Sequence, residues 1–501
     1  MNNIRLLVQA MIRGGTVKQA YCKLQGAEMT HDDDDRFAFH SGSRYALRVV
    51  RNPKEYLDSA LRGERYIARY QRHSEDGLYW TDPGRGQSVG LSWYSGVAGL
   101  SSLYAQLYRA TGEDRFADIA SESARYLTRH WKEVLTAAQP WLTDDLVELY
   151  NCGYQFGAAG VGVVLLDLYR EFGEESYRRT VEDIVHYYLD AAKPGEHGGV
   201  HWTNTGIAFD GGVILFLIEA YLAFGGDDVR RVIVSAAREY LARGHRTVDG
   251  GLLYHGFEGH LDYSYPNFTY GSAGSGLVLA RLYQFLEDDQ YLQGAKDAAA
   301  YVEHVAVRQT QGYLIPQRVG EGQPTILCLN VCSGPGGTAR LFSLLYDITG
   351  DTHYADQVVE LVDGMESLGA PETQSAGLWN NLCLCCGHAG LIQFFIGLYL
   401  HDGNERWRDL AERSAAVVLG GEERLDDGAS DWPEAWERVR PENITRPIGY
   451  FDGVGGIVAT LLQMYQWNAG HLQVNRHLED PFPKTLPARC RAVPDSRISA
   501  I

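Results

Sequence analysis

The chain has 501 residues, 45% of them hydrophobic and 22% charged, with a formal net charge of −19 at neutral pH. This profile excludes a disordered chain, no run approaches the roughly 18 unbroken apolar residues of a membrane helix, and the acidic excess excludes nucleic acid and anionic membrane as nonspecific partners. Eight cysteines are too few for a disulfide scaffold of this length, and MNNIRLLVQAMIRGG carries no convincing signal peptide, so a reducing, cytoplasmic setting is expected.

Residues 1–53 read as an N-terminal extension with a solvated acidic run, HDDDD at 31–35. KEYLDSALRGERYIARYQ (54–71) follows as an amphipathic helix without a partner ahead of it. From there the chain repeats. A small-residue loop entering an apolar helix occurs as YSGVAG (94–99), FGAAG (156–160), FDGG (209–212), YGSAG (270–274), CSGPGG (332–337), CCGHAG (385–390) and FDGVGG (451–456). Anchored on Gly96, Gly157, Gly211, Gly271, Gly334, Gly387 and Gly453, the spacings are 61, 54, 60, 63, 53 and 66 residues, a seven-unit repeat.

After each of the first six anchors an apolar helix ends in an acidic turn and gives way to an amphipathic one, as in LYRATGEDRFADIASESARYL and LYREFGEESYRRTVEDIVHYYL. The first helix of each pair is apolar nearly all round, as in GVGVVLLDLY, and should be buried; the second should lie outside it. The seventh anchor is followed by IVATLLQMY but by no outer helix. The unpaired 54–71 helix would complete that hairpin and close a ring. The predicted fold is all-α: an α/α toroid (barrel) of seven helical hairpins over residues 54–466, followed by an irregular C-terminal tail at 467–501.

Because every inner helix is entered through its glycine turn, all seven N-termini face one end of the barrel. Residues just before those glycines therefore converge on one site, at helix ends that favour anionic groups. Three thiols hold such positions: Cys332 before the fifth anchor, Cys385 and Cys386 before the sixth. Adjacent inner helices about 8–10 Å apart would bring them together. Zinc takes three protein ligands when its fourth position stays open for chemistry; small buried cysteines packed against glycine turns are the alternative. Cys328 and Cys383 lie too far upstream to share this geometry, and Cys22 and Cys490 lie in the flanks.

The glycine loops, the C-x-G-x-x-G of CSGPGG and the C-C-G-x-x-G of CCGHAG resemble the lanthionine synthetase C-like family, the LanC-type cyclases, over about residues 54–466. The resemblance implies an α/α toroid with Zn2+ at its centre, held by Cys332, Cys385 and Cys386, with Cys386 where the family usually has a histidine. His388, beyond the glycine, is expected to cap the helix or line the pocket. The implied activity belongs to lanthipeptide biosynthesis: addition of a cysteine thiol to dehydroalanine or dehydrobutyrine, giving a lanthionine or methyllanthionine thioether. The implied partners are a dehydrated cysteine-containing precursor peptide and a separate dehydratase, kinase or lyase that prepares it. The resulting enolate needs a proton donor. Where the family commonly has a histidine at the fourth anchor this chain has Tyr270; His255 and His260 share its loop, and Asp210 and Asp452 precede the third and seventh anchors. For these histidines a structural loop role, and for these aspartates a helix-cap role, is the alternative.

Three rival functions stay open. Glutathione or another thiol could be the nucleophile added to dehydroamino acids. An α/α-barrel glycosidase or sugar epimerase would use Asp210 and His201-Trp202, with Trp93, Trp202 and Trp379 for stacking. A noncatalytic zinc-stabilised scaffold would bind a peptide through a closed metal site.

Overall fold

The computed structural model describes residues 44–482 except 85, 138–148, 258–261, 324, 375–380, 436–443 and 473–476. His260, Trp379, Cys22, Cys490 and the acidic run 31–35 lie outside the described residues.

The glycine loops each hand over to a helix of 15 residues: α2 (Val97–Thr111), α4 (Ala158–Phe172), α6 (Asp210–Phe224), α8 (Ser272–Leu286), α10 (Pro335–Thr349), α12 (His388–Asp402) and α14 (Val454–Asn468). These are the inner helices, buried through most of their length because neighbours cover them on both flanks. Outside them lie α3 (Asp114–His130), α5 (Glu175–Asp190), α7 (Asp227–Ala242), α9 (Asp289–His304), α11 (Thr352–Ser367) and α13 (Glu405–Gly420). The leading helix α1 (Lys54–Ala68) packs on α14, and α14 packs on α2, so the ring closes. Contact at this joint is close: a Cβ on Gly63 would fall 2.5 Å from Cγ2 of Val458. The fold is thus the predicted toroid of seven helical hairpins. None of the described helices is long and apolar enough to cross a membrane.

A belt of backbone hydrogen bonds ties the seven entry loops together. Tyr94 N–H donates to Gln155 O (2.8 Å), Tyr154 to Ala208 (2.9 Å), Ala208 to Thr269 (3.1 Å), Thr269 to Cys332 (3.1 Å), Cys332 to Cys385 (3.4 Å), Cys385 to Phe451 (2.9 Å), and Phe451 back to Tyr94 (2.8 Å). Every unit gives one bond to the next, and the seventh returns to the first. The second glycine of each loop lets the chain enter its helix this close to the belt: a Cβ on Gly274 would fall 1.8 Å from the Phe268 carbonyl oxygen, and one on Gly390 would fall 2.1 Å from that of Leu384. Backbone against backbone leaves no room for adjustment.

Short antiparallel ribbons follow α1 and four of the outer helices: β1 (Gln71–Ser74) with β2 (Gly77–Trp80), β3 (Lys193–Pro194) with β4 (Val200–His201), β5 (His245–Arg246) with β6 (Leu252–Leu253), β7 (Val307–Arg308) with β8 (Tyr313–Leu314), and β9 (Glu423–Arg424) with β10 (Ser430–Asp431). Each turns on a left-handed glycine, Gly77, Gly198, Gly250, Gly312 or Gly428.

Inner helices α2, α4, α10 and α12 end on a left-handed glycine whose N–H returns to a tyrosine carbonyl. Helix α8 ends instead on Glu287, with φ of 57°. Relief of that strain predicts that Glu287→Gly raises unfolding stability by about 1 kcal/mol, measured from denaturant midpoints.

Glu422, just beyond α13, has a fully buried side chain that accepts two hydrogen bonds from Arg62 of α1 at 2.7 and 3.0 Å while pairing with Arg48 of the preceding segment. Burial alone would raise its pKa, but hydrogen bonds from Arg62, Ser430 and Arg48 outweigh it and hold the carboxyl at about 2, against an ordinary 4.5. A depressed folded value adds stability that is complete above about pH 4.5 and is lost as pH falls towards about 2. Glu422→Gln should therefore flatten the stability profile across that window, read as the midpoint of urea unfolding against pH.

Candidate metal centre

The belt sets the thiols. Cys332 and Cys385 are consecutive belt members joined by their own backbones, and Cys386 is the next residue along. Their sulfurs converge: Cys386 Sγ lies 3.5 Å from that of Cys332 and 3.6 Å from that of Cys385, and all three fall within 4.8 Å of one another. In a tetrahedral site with Zn–S bonds of about 2.3 Å the sulfurs are about 3.8 Å apart, so the cluster already approximates one face of such a tetrahedron. Cys332 and Cys385 are half-buried, leaving the face accessible, while Cys386 is buried. The three residues are therefore fit to hold a metal ion.

Without an ion the thiols share charge among themselves. Hydrogen bonds from Cys332 and Cys386 hold the Cys385 thiol well below its ordinary value, and the same interactions push Cys332 and Cys386 up. Cys328 and Cys383 are buried away from the cluster, 1% and 0% exposed.

Tyr270 stands beside the thiols. Burial raises its phenol first, followed by Tyr150 and the charge on Cys332 and Cys385. Its oxygen accepts the Tyr150 hydroxyl at 3.2 Å, and its ring is fixed against Phe257, Phe209 and Tyr265 at 5.3 to 5.8 Å between centroids. These rings belong to an aromatic cluster separate from the main core. Tyr94 reaches the thiols from the opposite side of the belt: its hydroxyl helps hold the Cys385 thiol down, and its ring is stacked between Phe156 (4.2 Å) and Phe451 (5.5 Å). The third neighbour is Asp452. Burial pushes its carboxyl up to about 7, and its Oδ1 has no hydrogen-bond partner among the described residues.

The other candidates lie apart from this group. Asp210 is buried and committed: it pairs with Arg243, which caps the C-terminus of α7, at 2.8 Å and accepts the N–H groups of Thr203 (2.7 Å) and Trp202 (3.3 Å). His255 donates its Nδ1–H to the Tyr263 carbonyl at 3.0 Å, with its ring edge-on to His245 in β5. His388, the first residue of α12, is fully buried, with Nε2 on the Pro371 carbonyl at 2.8 Å. Trp202 is buried with its indole N–H on the Tyr188 carbonyl, and Trp93 packs edge-on to Tyr154, Phe451 and His477.

Tyr94 is the residue that motif reading passed over, and the signal for it was present. Cys332, Cys385 and Tyr94 stand two places before their anchor glycines; Cys386, Tyr270 and Asp452 stand one place before theirs. One positional rule finds all six.

A helical toroid with cysteines at the centre of its entry loops defines one class of protein. The chain belongs to the lanthionine synthetase C-like family, whose sequence profile, described as "Lanthionine synthetase C-like protein", matches residues 87–469. Among solved structures nisin cyclase shares the fold, with a TM-score of 0.53 and 12% identity over 83% of this chain and 94% of that one. A GH76 alpha-mannanase of Bacteroides thetaiotaomicron gives a TM-score of 0.43 at 13% identity, covering 84% and 98% of the two chains. Cellobiose 2-epimerase of Bacillus thermoamylovorans gives 0.42 at 13% identity, covering 62% and 86%. At those scores neither likeness bears on function. No curated protein sequence matches the chain.

The thiol electrostatics predict an order of reactivity. In metal-free protein at neutral pH, limiting iodoacetamide should modify Cys385 ahead of Cys386, and Cys383 last, as followed by peptide mapping.

Proposed function

We propose that the chain is a zinc-dependent thioether-forming cyclase, joining a cysteine thiol to a dehydroalanine or dehydrobutyrine in a dehydrated precursor peptide supplied in the cytoplasm by a separate dehydratase, kinase or lyase. The observation that carries this reading is the three-sulfur face, open on one side and flanked by two tyrosines and by a carboxyl whose Oδ1 has no hydrogen-bond partner among the described residues. Family membership supports it.

Zinc held by Cys332, Cys385 and Cys386 would supply Lewis acidity that lowers the pKa of an incoming substrate thiol. The remaining work falls to protein groups. Asp452, whose carboxyl titrates near 7, is suited to take the proton that the substrate thiol gives up. The sulfur then bonds to the β-carbon of the dehydroamino acid, the C=C pair moves onto the carbonyl as an enolate, and a proton must return to the α-carbon. Tyr270 keeps its proton at neutral pH because it is buried beside Tyr150 and thiol charge, and so stands as the acid that can return a proton to the α-carbon. The fixed aromatic rings around it exclude water from the enolate's neighbourhood.

Zinc analysis, combined with mass spectrometry after incubation with a dehydrated cysteine-containing peptide, tests the proposal. Purified protein should carry one zinc, and the product peptide should lose one free thiol without change of mass. Cys386→Ala should lose most of the zinc and the activity with helical content kept. Tyr270→Phe and Asp452→Asn should each keep zinc and slow single-turnover cyclisation by about 10²-fold or more. Full activity in zinc-free protein would exclude the reading, and product formed only with added glutathione would transfer it to an external thiol.

A further inference from the structure

The lumen of the toroid is occupied by the chain itself. Residues 477–482, from a stretch that the sequence reads as irregular tail, lie against five inner helices. His477 Nε2 is 3.4 Å from Asp167 of α4, and its Nδ1 is 3.8 Å from Glu219 of α6. Leu478 N–H donates to Glu219 (3.2 Å), and Arg281 of α8 donates to the carbonyls of Leu478 (2.7 Å) and Asp480 (3.4 Å). Arg340 of α10 reaches the Glu479 carbonyl at 3.5 Å, and Tyr154 gives its hydroxyl to the Glu479 carboxyl at 2.9 Å. Phe482 meets Phe394 of α12 and sits over Gly397, where a Cβ would come within 2.4 Å of its ring.

Charged side chains on inner helices are costly unless something pairs with them. Here acids on α4 and α6 meet an imidazole, bases on α8 and α10 meet backbone carbonyls, and a missing side chain on α12 seats an aromatic ring. Above the segment lies a cavity of about 80 Å³, bordered by Cys332 and Cys385 on the belt side and by His477 and Glu479 on the other. We propose that the lumen wall is a peptide-binding site whose ligand is the chain's own 477–482 segment, a stopper that closes the chamber behind the thiols, is held by protonated His477, and loosens as pH rises.

The groups facing His477 are Asp167 and Arg170 of α4, Glu219 of α6 and Glu479 of its own segment. Burial disfavours the charged ring, but Asp167, Glu479 and Glu219 outweigh both burial and Arg170, so the pKa stands above its ordinary 6.5. A raised folded value makes the contribution to seating complete below about pH 6.5 and lost as pH climbs through the raised value. This inference concerns the lumen and does not depend on zinc or on cyclisation.

Amide hydrogen exchange of the full-length protein, read by mass spectrometry and corrected for intrinsic rates, tests it. Between pH 6 and pH 9 the protection of residues 477–482 should fall while that of α12 holds, because the pairing of protonated His477 with Asp167 and Glu219 is lost as the ring gives up its proton. His477→Gln should show the weakened protection at both pH values. Gly397→Ala, which favours the helix and whose Cβ would meet Phe482 first, should weaken protection at both, with unchanged circular dichroism. Equal protection of the wild type at pH 6 and 9, wild-type protection in His477→Gln at pH 6, or unaltered protection in Gly397→Ala would each overturn the proposal.

Discussion

The hydrogen-bonded belt at the mouth of the toroid is the constraint from which the remaining architecture follows. Seven loops must each present one N–H and one C=O at the same height around a circle, and buried backbone groups that miss their partner cost about 1–3 kcal/mol each. The glycines that lead from the belt into each inner helix are therefore requirements of crowding: a Cβ on Gly99, Gly160, Gly212, Gly274, Gly337, Gly390 or Gly456 would collide with a backbone carbonyl oxygen. Helices then leave the belt in parallel, and the second helix of each hairpin returns along the outside to begin the next unit.

The chemistry sits on the belt as well. Side chains on belt residues and on the residues just after them crowd together at the helix N-termini, where unsatisfied N–H groups favour negative charge. A thiolate, a polarised phenol and a carboxyl are the kinds of group such a place tolerates. In this chain they are distributed over units one, four, five, six and seven, so the site exists only when the ring is closed. No single hairpin contains it.

Much of this was legible in the amino-acid sequence because it is repeated. Seven glycine loops, six of them G-x-x-G, announced seven helix starts, and the solitary helix at 54–71, matched with a last inner helix lacking its partner, announced closure. The ribbons were not read, although EDGLYW, HGGVHW, DGGLLY, TQGYLI and DDGASDW recur in step with the hairpins. Strands of two residues have too little alternation to stand out, and the glycine that makes each turn was the signal. Asp210 looked like a candidate acid because it precedes a helix; what occupies it is Arg243, 33 positions along, visible only once α6 and α7 are folded. His477–Phe482 resisted reading for a related reason. HLEDPF occurs once, is charged, and is buried solely because the lumen wall offers opposite charges and one vacant glycine face.

The belt bonds are unequal, and the longest of the seven, at 3.4 Å, joins Cys332 to Cys385. An ion gripped by Cys332 on one side and by Cys385 and Cys386 on the other would span that same joint. Occupancy and annular integrity would then be thermodynamically linked: whatever free energy the ion gains from a closed ring, the ring gains from the ion. Damage far around the circumference, at the α1–α14 seam for instance, would be felt as a looser grip at the thiols, as a hoop slackened anywhere loses tension everywhere.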